Sequence, residues 1–440
     1  MSKKKQHKKL VPELRFPEFK KDKEWNAEPM NKLYSFKVTN SFSRAKLNYE
    51  NGSVKNIHYG DIHTKFSTLF DITKEEVPYI NTDVSIDRIK SENYCKAGDL
   101  IFADASEDLD DVGKSIEIVN LNKEKLLAGL HTLLARQIKP KLEIGFAGYL
   151  FKSSGIRSQI KREAQGAKVL GISAGRLSDI EVFYPTKKEE QQKIANCLSS
   201  LDDLITAENK KLGILKDHKK GLLQQLFPAE GKTVPELRFS EFKNKRTWET
   251  DILENRGSFT GGGTPSKSNE SYWLGEIPWI SSSDIAEDSI HQLNITRFIT
   301  EKAIKSSATK RVPKNSVLIV SRVGVGKLAI STEEICTSQD FTNFTPFKDD
   351  LTFLGYYLKS QSNKFLEFSQ GMAIRGFTKN DISKLQLAFP DNIEEQQKIA
   401  SCLSSIDKLI DAQTQRVDSL KAHKKGLMQQ LFPNPTELEA

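Results

Sequence analysis

The sequence predicts an α/β protein: two globular domains of mixed α/β fold, joined by two long antiparallel coiled-coil helices, with pseudo-two-fold symmetry. Three observations lead there. The chain is written twice: VPELRFPEFK at 11–20 returns as VPELRFSEFK at 234–243, and EEQQKIANCLSSLDDLI at 189–205 returns as EEQQKIASCLSSIDKLI at 394–410. Both copies of the second block run on into a heptad pattern that closes on HKKGLLQQLFP at 218–228 and HKKGLMQQLFP at 423–433. Between the repeated blocks the sequence is almost unrelated, so one frame carries two different inserts.

At 440 residues the chain exceeds what a single core supports, and several domains are expected. The blocks divide it into a first insert domain with its leading segment (1–186), a first long helix (187–230), a second insert domain (231–391) and a second long helix (392–440). A formal net charge of +8 and a pI near 9.0 favour an acidic partner, nucleic acid first. No apolar run approaches the roughly 20 residues that span a bilayer, and nothing resembles a signal peptide, so a cytoplasmic protein without a membrane partner is expected. The four cysteines lie far apart with no CxxC pair, which fits a reducing compartment. The opening MSKKKQHKKL reads as a disordered basic tail.

The helices follow from the seam. Ile194, Leu198, Leu201, Ile205, Glu208, Leu212, Leu215, Lys219, Leu222 and Leu226 recur at alternating steps of four and three. Ile399, Leu403, Ile406, Ile410, Gln413, Val417, Leu420, Lys424, Leu427 and Leu431 repeat the pattern. The first seam covers about 48 Å at 1.5 Å per residue. The two helices are expected to pair antiparallel. Matching the polar seam residues to one another sets Glu208 opposite Lys424 and Lys219 opposite Gln413, with Ile205 level with Leu427 and Leu212 with Leu420. A structure with Glu208 opposite Val417 refutes that register. Only residues 229–233 separate the first helix block from the second VPELRF, so the chain reads as a circle cut at one of two equivalent joints. Pro433 is therefore expected beside Val11.

The inserts share a fold and differ in surface. DLIFAD (99–104) and SIEIVN (115–120) read as strands and EIGFAGYLFKS (143–153) as a helix; SVLIVSR (316–322), KLAIS (327–331) and FLGYYLKS (353–360) correspond to them. Asp61 and Asp284, each followed by Ile, also correspond. Eight cations between Arg297 and Lys327 face only Glu301, a local excess of +7. Such a run can neutralise phosphates. Arg322, at a strand end before a glycine-rich turn, could reach a guanine edge. The equivalent turn of the first insert, ADASEDLDDVGK (103–114), is acidic and reads as solvated. His131 and Gln339 are expected at equivalent strand positions, where either could read a base. The full expected DNA-contact set is Arg297, Lys310, Arg311, Arg322, Lys327, Gln339 and Arg375 in the second insert, with Arg44, Lys114, His131, Lys168 and Arg176 in the first. Trp273 and Trp279 are expected as core or support.

Catalytic patterns fail on their own terms. SRVGVGKL (321–328) lacks the first glycine and the Ser or Thr of a P-loop. DASEDL (104–109) has Leu109 where a calcium loop needs glycine. The seven histidines form no metal spacing, and no two prolines are adjacent, which excludes the Asp/Asn-Pro-Pro-aromatic motif of amino-directed DNA methyltransferases.

The order of insert, EEQQKIA block with heptad helix, second insert, and second EEQQKIA block closely resembles the specificity subunit of type I restriction–modification enzymes. The likeness covers essentially the whole chain. GGGTPSKSNESYWLGEIPWISSSDI (261–285) and AGDLIFADASEDLDDVGK (97–114) resemble two classes of that family's target-recognition domains. The resemblance implies a non-catalytic reader of double-stranded DNA, each target-recognition domain taking one half of a two-part site. It implies helices that set the unread spacer and dock two methyltransferase subunits. Those subunits would carry S-adenosylmethionine, with no cofactor on this chain, and restriction (translocase–nuclease) subunits would join for cleavage. Two rivals predict otherwise. A lone enzyme would cut or methylate DNA unaided, and a coiled-coil adaptor whose inserts bind proteins would bind DNA weakly and without strong salt dependence.

Overall fold

The computed structural model describes residues 10–368 and 376–434. The basic tail and Arg375 lie outside the described residues. The chain divides into two compact units, Met1–Glu208 with Arg416–Ala440, and Asn209–Gln415. Both unit boundaries fall inside the long helices Lys188–Gln225 and Ile393–Gln430.

In the first unit the insert is entered and left through an antiparallel ribbon, Asn26–Pro29 against Glu181–Tyr184. A five-stranded sheet runs in the order Tyr34–Lys37, Thr132–Gln137, Leu100–Ala103, Ser115–Asn120, Leu69–Asp71. Its central Leu100–Ala103 is wholly buried, as an unbroken apolar run should be. A second sheet orders Leu126–Ala128, Lys55–Ile57, Tyr79–Ile80 and Leu47–Asn48, with the first two parallel. Phe146, Tyr149, Ile156 and Ile160, from the helical segments after strand Thr132–Gln137, share a core with Ile194 and Leu198 of one long helix and Leu431 of the other.

The second unit repeats this plan. Its ribbon is Glu249–Ile252 against Gln386–Phe389. One sheet orders Gly257–Gly261, Thr342–Pro346, Ser316–Ile319, Leu328–Ser331, and the other Arg297–Ile299, Ile277–Ile280, Ile335–Thr337, Arg311–Val312. Helix Leu351–Ser360 packs on the first of these and is capped by Asp350, whose carboxylate accepts from Phe353 N at 2.8 Å. The shared fold expected of the inserts is present.

The repeated blocks meet in a buried clamp. Arg15 donates to Glu190 through Nε (2.8 Å) and Nη2 (2.7 Å), and the Trp25 indole donates to the same carboxylate at 3.3 Å. Arg238, Glu395 and Trp248 reproduce the set at 2.8, 2.8 and 3.0 Å. Both carboxylates are 1% exposed. The joint of the circle also repeats. Leu14 N donates to Gln430 O at 3.0 Å, and Leu237 N to Gln225 O at 2.9 Å. Trp25 packs edge-on against Phe432, so the last helix ends against the first block as expected.

The helices pair antiparallel within each unit, and every seam position is less exposed than the outward face. The expected register is wrong by one heptad. Glu208 pairs with Arg416 (2.6 Å) rather than Lys424, which is the Val417 level. Lys424 pairs with Asp202 (2.5 Å), and Lys219 with Asp407 (2.6 Å) rather than facing Gln413. Ile205 and Leu212 accordingly shift away from Leu427 and Leu420. Two physical reasons account for this. The observed register sets Ile194 level with Leu431 and Leu226 with Ile399, pairs that share a core cluster, and so overlaps every seam layer. The aspartates that neutralise the seam lysines flank the seam instead of lying in it. Each also accepts a phenol from the insert: Tyr149 Oη reaches Asp202 at 2.8 Å, and Tyr356 Oη reaches Asp407 at 2.6 Å.

Removing Glu190 leaves a buried guanidinium and an indole without their acceptor. We expect Glu190→Ala to cost about 3–5 kcal/mol in denaturant unfolding, against under about 1 kcal/mol for Lys193→Ala, whose partner Glu18 is half exposed. Glu117 is fully buried, holds one backbone donor (Gly148 N, 2.6 Å) and has a partnerless Oε1. Burial pushes its carboxyl up to about 7. The folded chain therefore keeps this proton to higher pH than the unfolded chain, and stability falls as pH rises from about 4.5 through 7. Glu117→Gln is expected to be more stable than the parent at pH 8 by about 2 kcal/mol, with the gap closing below pH 4.5, measured by urea unfolding across that range.

Candidate nucleic-acid interface

In both units two parallel strands end side by side. Lys55–Ile57 and Leu126–Ala128 lead into His58 and the loop before Thr132, and Ile277–Ile280 and Ile335–Thr337 lead into Ser281 and the loop before Thr342. Beneath the first loop lies a common anchor. Asp61 is 1% exposed and takes Arg44 at 2.5 Å; the Asp284 side chain is 11% exposed and takes Arg297. The arginine comes from ahead of the aspartate in one unit and from behind it in the other. Arg297 also donates to Ser281 Oγ at 2.7 Å and lies over the Trp279 ring at 4.7 Å. Trp279 is buried, with its indole donating to Gly263 O at 2.9 Å, so it supports the site from within, as expected.

The expected contact residues divide by how they are held. His131 stands on the loop edge, 52% exposed, with φ of 54° and Nδ1 at 3.2 Å from Asp104. Its ring meets Tyr59 edge-on at 5.3 Å. Lys114 is turned inward, donating to His63 O at 2.7 Å and to Asp111 at 3.3 Å. Arg176 donates to Glu163 O at 2.7 Å, away from the His131 loop in sequence and partners. Lys168 is exposed on the turn between Gln165 and Gly171, which bridge each other. In the second unit Arg311 is paired to both Glu301 and Glu334. Lys310 and Arg322 are exposed and Lys327 half-buried. Gln339 is exposed, its Oε1 accepting from Thr264. The eight cations of that stretch are thus partly neutralised by Asp284, Glu301 and Glu334. The acidic turn of the first unit is likewise balanced locally, Asp110 by Lys161 and Asp111 by Lys114.

One expected equivalence fails. Asp104 N donates to His131 O, and the matching residue of the second unit, Ser321, donates through its N to Asp340 O. Asp340 is therefore the counterpart of His131, and Gln339 lies one residue earlier. The apolar patterns around both residues resemble each other under either alignment; only strand pairing separates them. Arg322 bridges Gly376 much as Ala105 pairs Gly171, which confirms its place just past a strand. The sequence reading missed Tyr59, His58 and His63. Tyr59 sits among imidazoles at 4.6 Å (His58), 5.9 Å (His63) and 5.3 Å (His131). The signal was available: HYG precedes Asp61 where SSS precedes Asp284, beside a matched Asp-Ile.

Known proteins agree with this architecture. The family described as the type I restriction modification DNA specificity domain matches residues 46–216 and 245–422. The chain is 34% identical over 173 residues to the type I restriction enzyme MjaIX specificity subunit of Methanocaldococcus jannaschii, covering 38% of this chain and 40% of that one. It is 28% identical over 362 residues to the putative MjaX specificity subunit of the same organism, covering 79% and 81%. The fold matches the crystal structure of a type I restriction–modification S subunit from M. genitalium with a TM-score of 0.59 at 15% identity, over 96% of this chain and 99% of that one. Among the described residues no helix is long and apolar enough to cross a membrane.

Arg297 and Arg322 separate two roles. Arg297→Ala strands the Asp284 carboxylate and is expected to destabilise the second unit by about 2 kcal/mol. Arg322→Ala, at an exposed side chain, is expected to stay within about 0.5 kcal/mol of the parent while weakening DNA binding. Calorimetry paired with duplex titration distinguishes them.

Proposed function

The chain belongs to the type I restriction–modification DNA specificity family and is a specificity subunit, and on that premise we propose how its parts divide the work. Each unit reads one half of a two-part DNA sequence. The number of heptads in the long helices sets the unread spacer. The observation that carries this reading is the duplicated frame around two diverged inserts: the Arg–Glu–Trp clamp, the closing ribbon and the seam are kept, while the loops at the parallel strand ends are not.

The helix faces support the docking of two like partners. Glu189, Gln192, Lys193 and Ser200 are exposed and return unchanged as Glu394, Gln397, Lys398 and Ser405, also exposed. In the first unit they line an open groove with Phe16 and Cys197. Lys193 and Lys398 pair with Glu18 and Glu241 of their own leading blocks, whereas the identity of Glu189, Gln192 and Ser200 with Glu394, Gln397 and Ser405 has its economical account in a partner bound once per unit. In this reading the partners are two methyltransferase subunits that hold S-adenosylmethionine and perform the methylation, with restriction subunits added for cleavage. This chain supplies recognition without catalysis and works in the cytoplasm. The basic excess supplies the salt-dependent share of affinity.

Replacing residues 26–186 with a different insert is expected to change one half of the methylated site and leave the other. Adding one heptad to both helices is expected to change the spacer and neither half. Methylation mapping in cells with and without the chain reads both outcomes; a swap that changes both halves, or DNA binding indifferent to salt, overturns the proposal.

A further inference from the structure

The two units keep one scaffold at the parallel strand ends and place different chemistry on it. The anchor is common: Asp61–Ile62 and Asp284–Ile285, each aspartate paired to an arginine and each isoleucine buried at 1% and 3%. Above the anchor the side chains differ completely, His58-Tyr59-Gly60 against Ser281-Ser282-Ser283. The turn after the neighbouring strand contributes His131 in one unit and Gln339 in the other.

We propose that these paired loops are the base-reading centres, with Tyr59 and His131 reading in the first unit and Ser283 and Gln339 in the second. This rests on the reading that each unit takes half of a DNA site, and deepens it by naming the readers. Adjacent parallel strands open a crevice at their C-terminal ends, which is where open α/β sheets take ligands. His58 and Ser281 are excluded as readers because both cap the turn that follows. His58 Nδ1 accepts from Gly60 N at 3.2 Å, and Ser281 forms a reciprocal capping pair with Asp284. Arg44 and Arg297 are positioning residues, their guanidinium groups committed to the anchor aspartates.

The remaining groups suit base edges. The Tyr59 ring is braced by three imidazoles, which limits its rotation before DNA arrives. Its hydroxyl and the His131 ring can each donate or accept a hydrogen bond. In the second unit Ser283 is exposed, its hydroxyl sharing one hydrogen bond with Ser281 Oγ at 2.9 Å and keeping its remaining capacity outward, and Gln339, fixed through Thr264, carries the amide that suits adenine in the major groove. Two different donor and acceptor sets on the same pair of loops are what two unlike half-sites require.

The test uses the full chain and a duplex library randomised across both halves. Tyr59→Phe keeps the ring and removes the hydroxyl. His131→Gly removes the imidazole at a backbone angle that glycine tolerates. Both are expected to lose about tenfold in base discrimination within the same half. Gln339→Ala is expected to do so in the other half. Uniform weakening with every base preference kept, or loss in both halves from Tyr59→Phe, overturns the proposal. If Tyr59→Phe unfolds, His131→Gly still decides the first centre, since that side chain is half exposed. If the parent chain selects no two-part sequence at all, the proposed function itself fails; if it does and these variants keep its preferences, only the assignment of readers fails.

Discussion

A buried arginine–carboxylate pair with an indole on the same oxygen holds each unit together. Glu190 draws in Arg15 and Trp25 from the leading block, and Glu395 does the same with Arg238 and Trp248. Desolvating such a charge is costly, and only a bidentate partner with further donors offsets it. The geometry is therefore demanding. The leading block, the ribbon after the tryptophan and the first turn of the long helix must all be present at once. An insert between them can vary freely provided its ends still pair as Asn26–Pro29 does with Glu181–Tyr184. The clamp thus explains why VPELRF and EEQQKIA repeat while the intervening sequence does not.

The lysine–aspartate–tyrosine groups act one layer further along the same helices. Lys424, Asp202 and Tyr149 join both helices to an insert in the first unit, and Lys219, Asp407 and Tyr356 do so in the second. Each lysine also lies over its tyrosine ring, at 5.3 and 5.8 Å. A polar residue in a coiled-coil seam sets register when its partner lies at one level only. Here the partner comes from the flank and is itself oriented by the insert, so helix register and insert placement are set together. The parallel strand ends then inherit a defined position on which their loops can differ.

Much of the contact set was legible as charge but not as role. Lysine and arginine counts located the basic stretch of the second insert, yet Arg297 and Arg311 are paired to carboxylates on neighbouring elements, and Lys114 is turned toward a carbonyl. Counting cations cannot reveal those pairings, because each depends on which strands lie side by side. Tyr59 was overlooked for the converse reason. It carries no charge, and its importance comes from three imidazoles that chain distance keeps far from it in sequence only in part: His58 adjoins it, and His131 arrives through strand pairing.

The duplication, the heptad seam and the apolar strands belong to the sequence alone, since periodicity and repetition are local or self-comparing properties. From them came two insert domains of like fold, two antiparallel helices and the joining of the last helix to the first block. Tertiary structure decided the rest. It chose the register, because overlap of all the seam layers outweighed the matching of seam charges to one another. It set His131 level with Asp340 instead of Gln339, because hydrogen-bonded strands admit one alignment where similar sequences admit several. It also separated arginines that anchor from side chains left facing outward, a distinction that exists only once the partners of each charge are brought together.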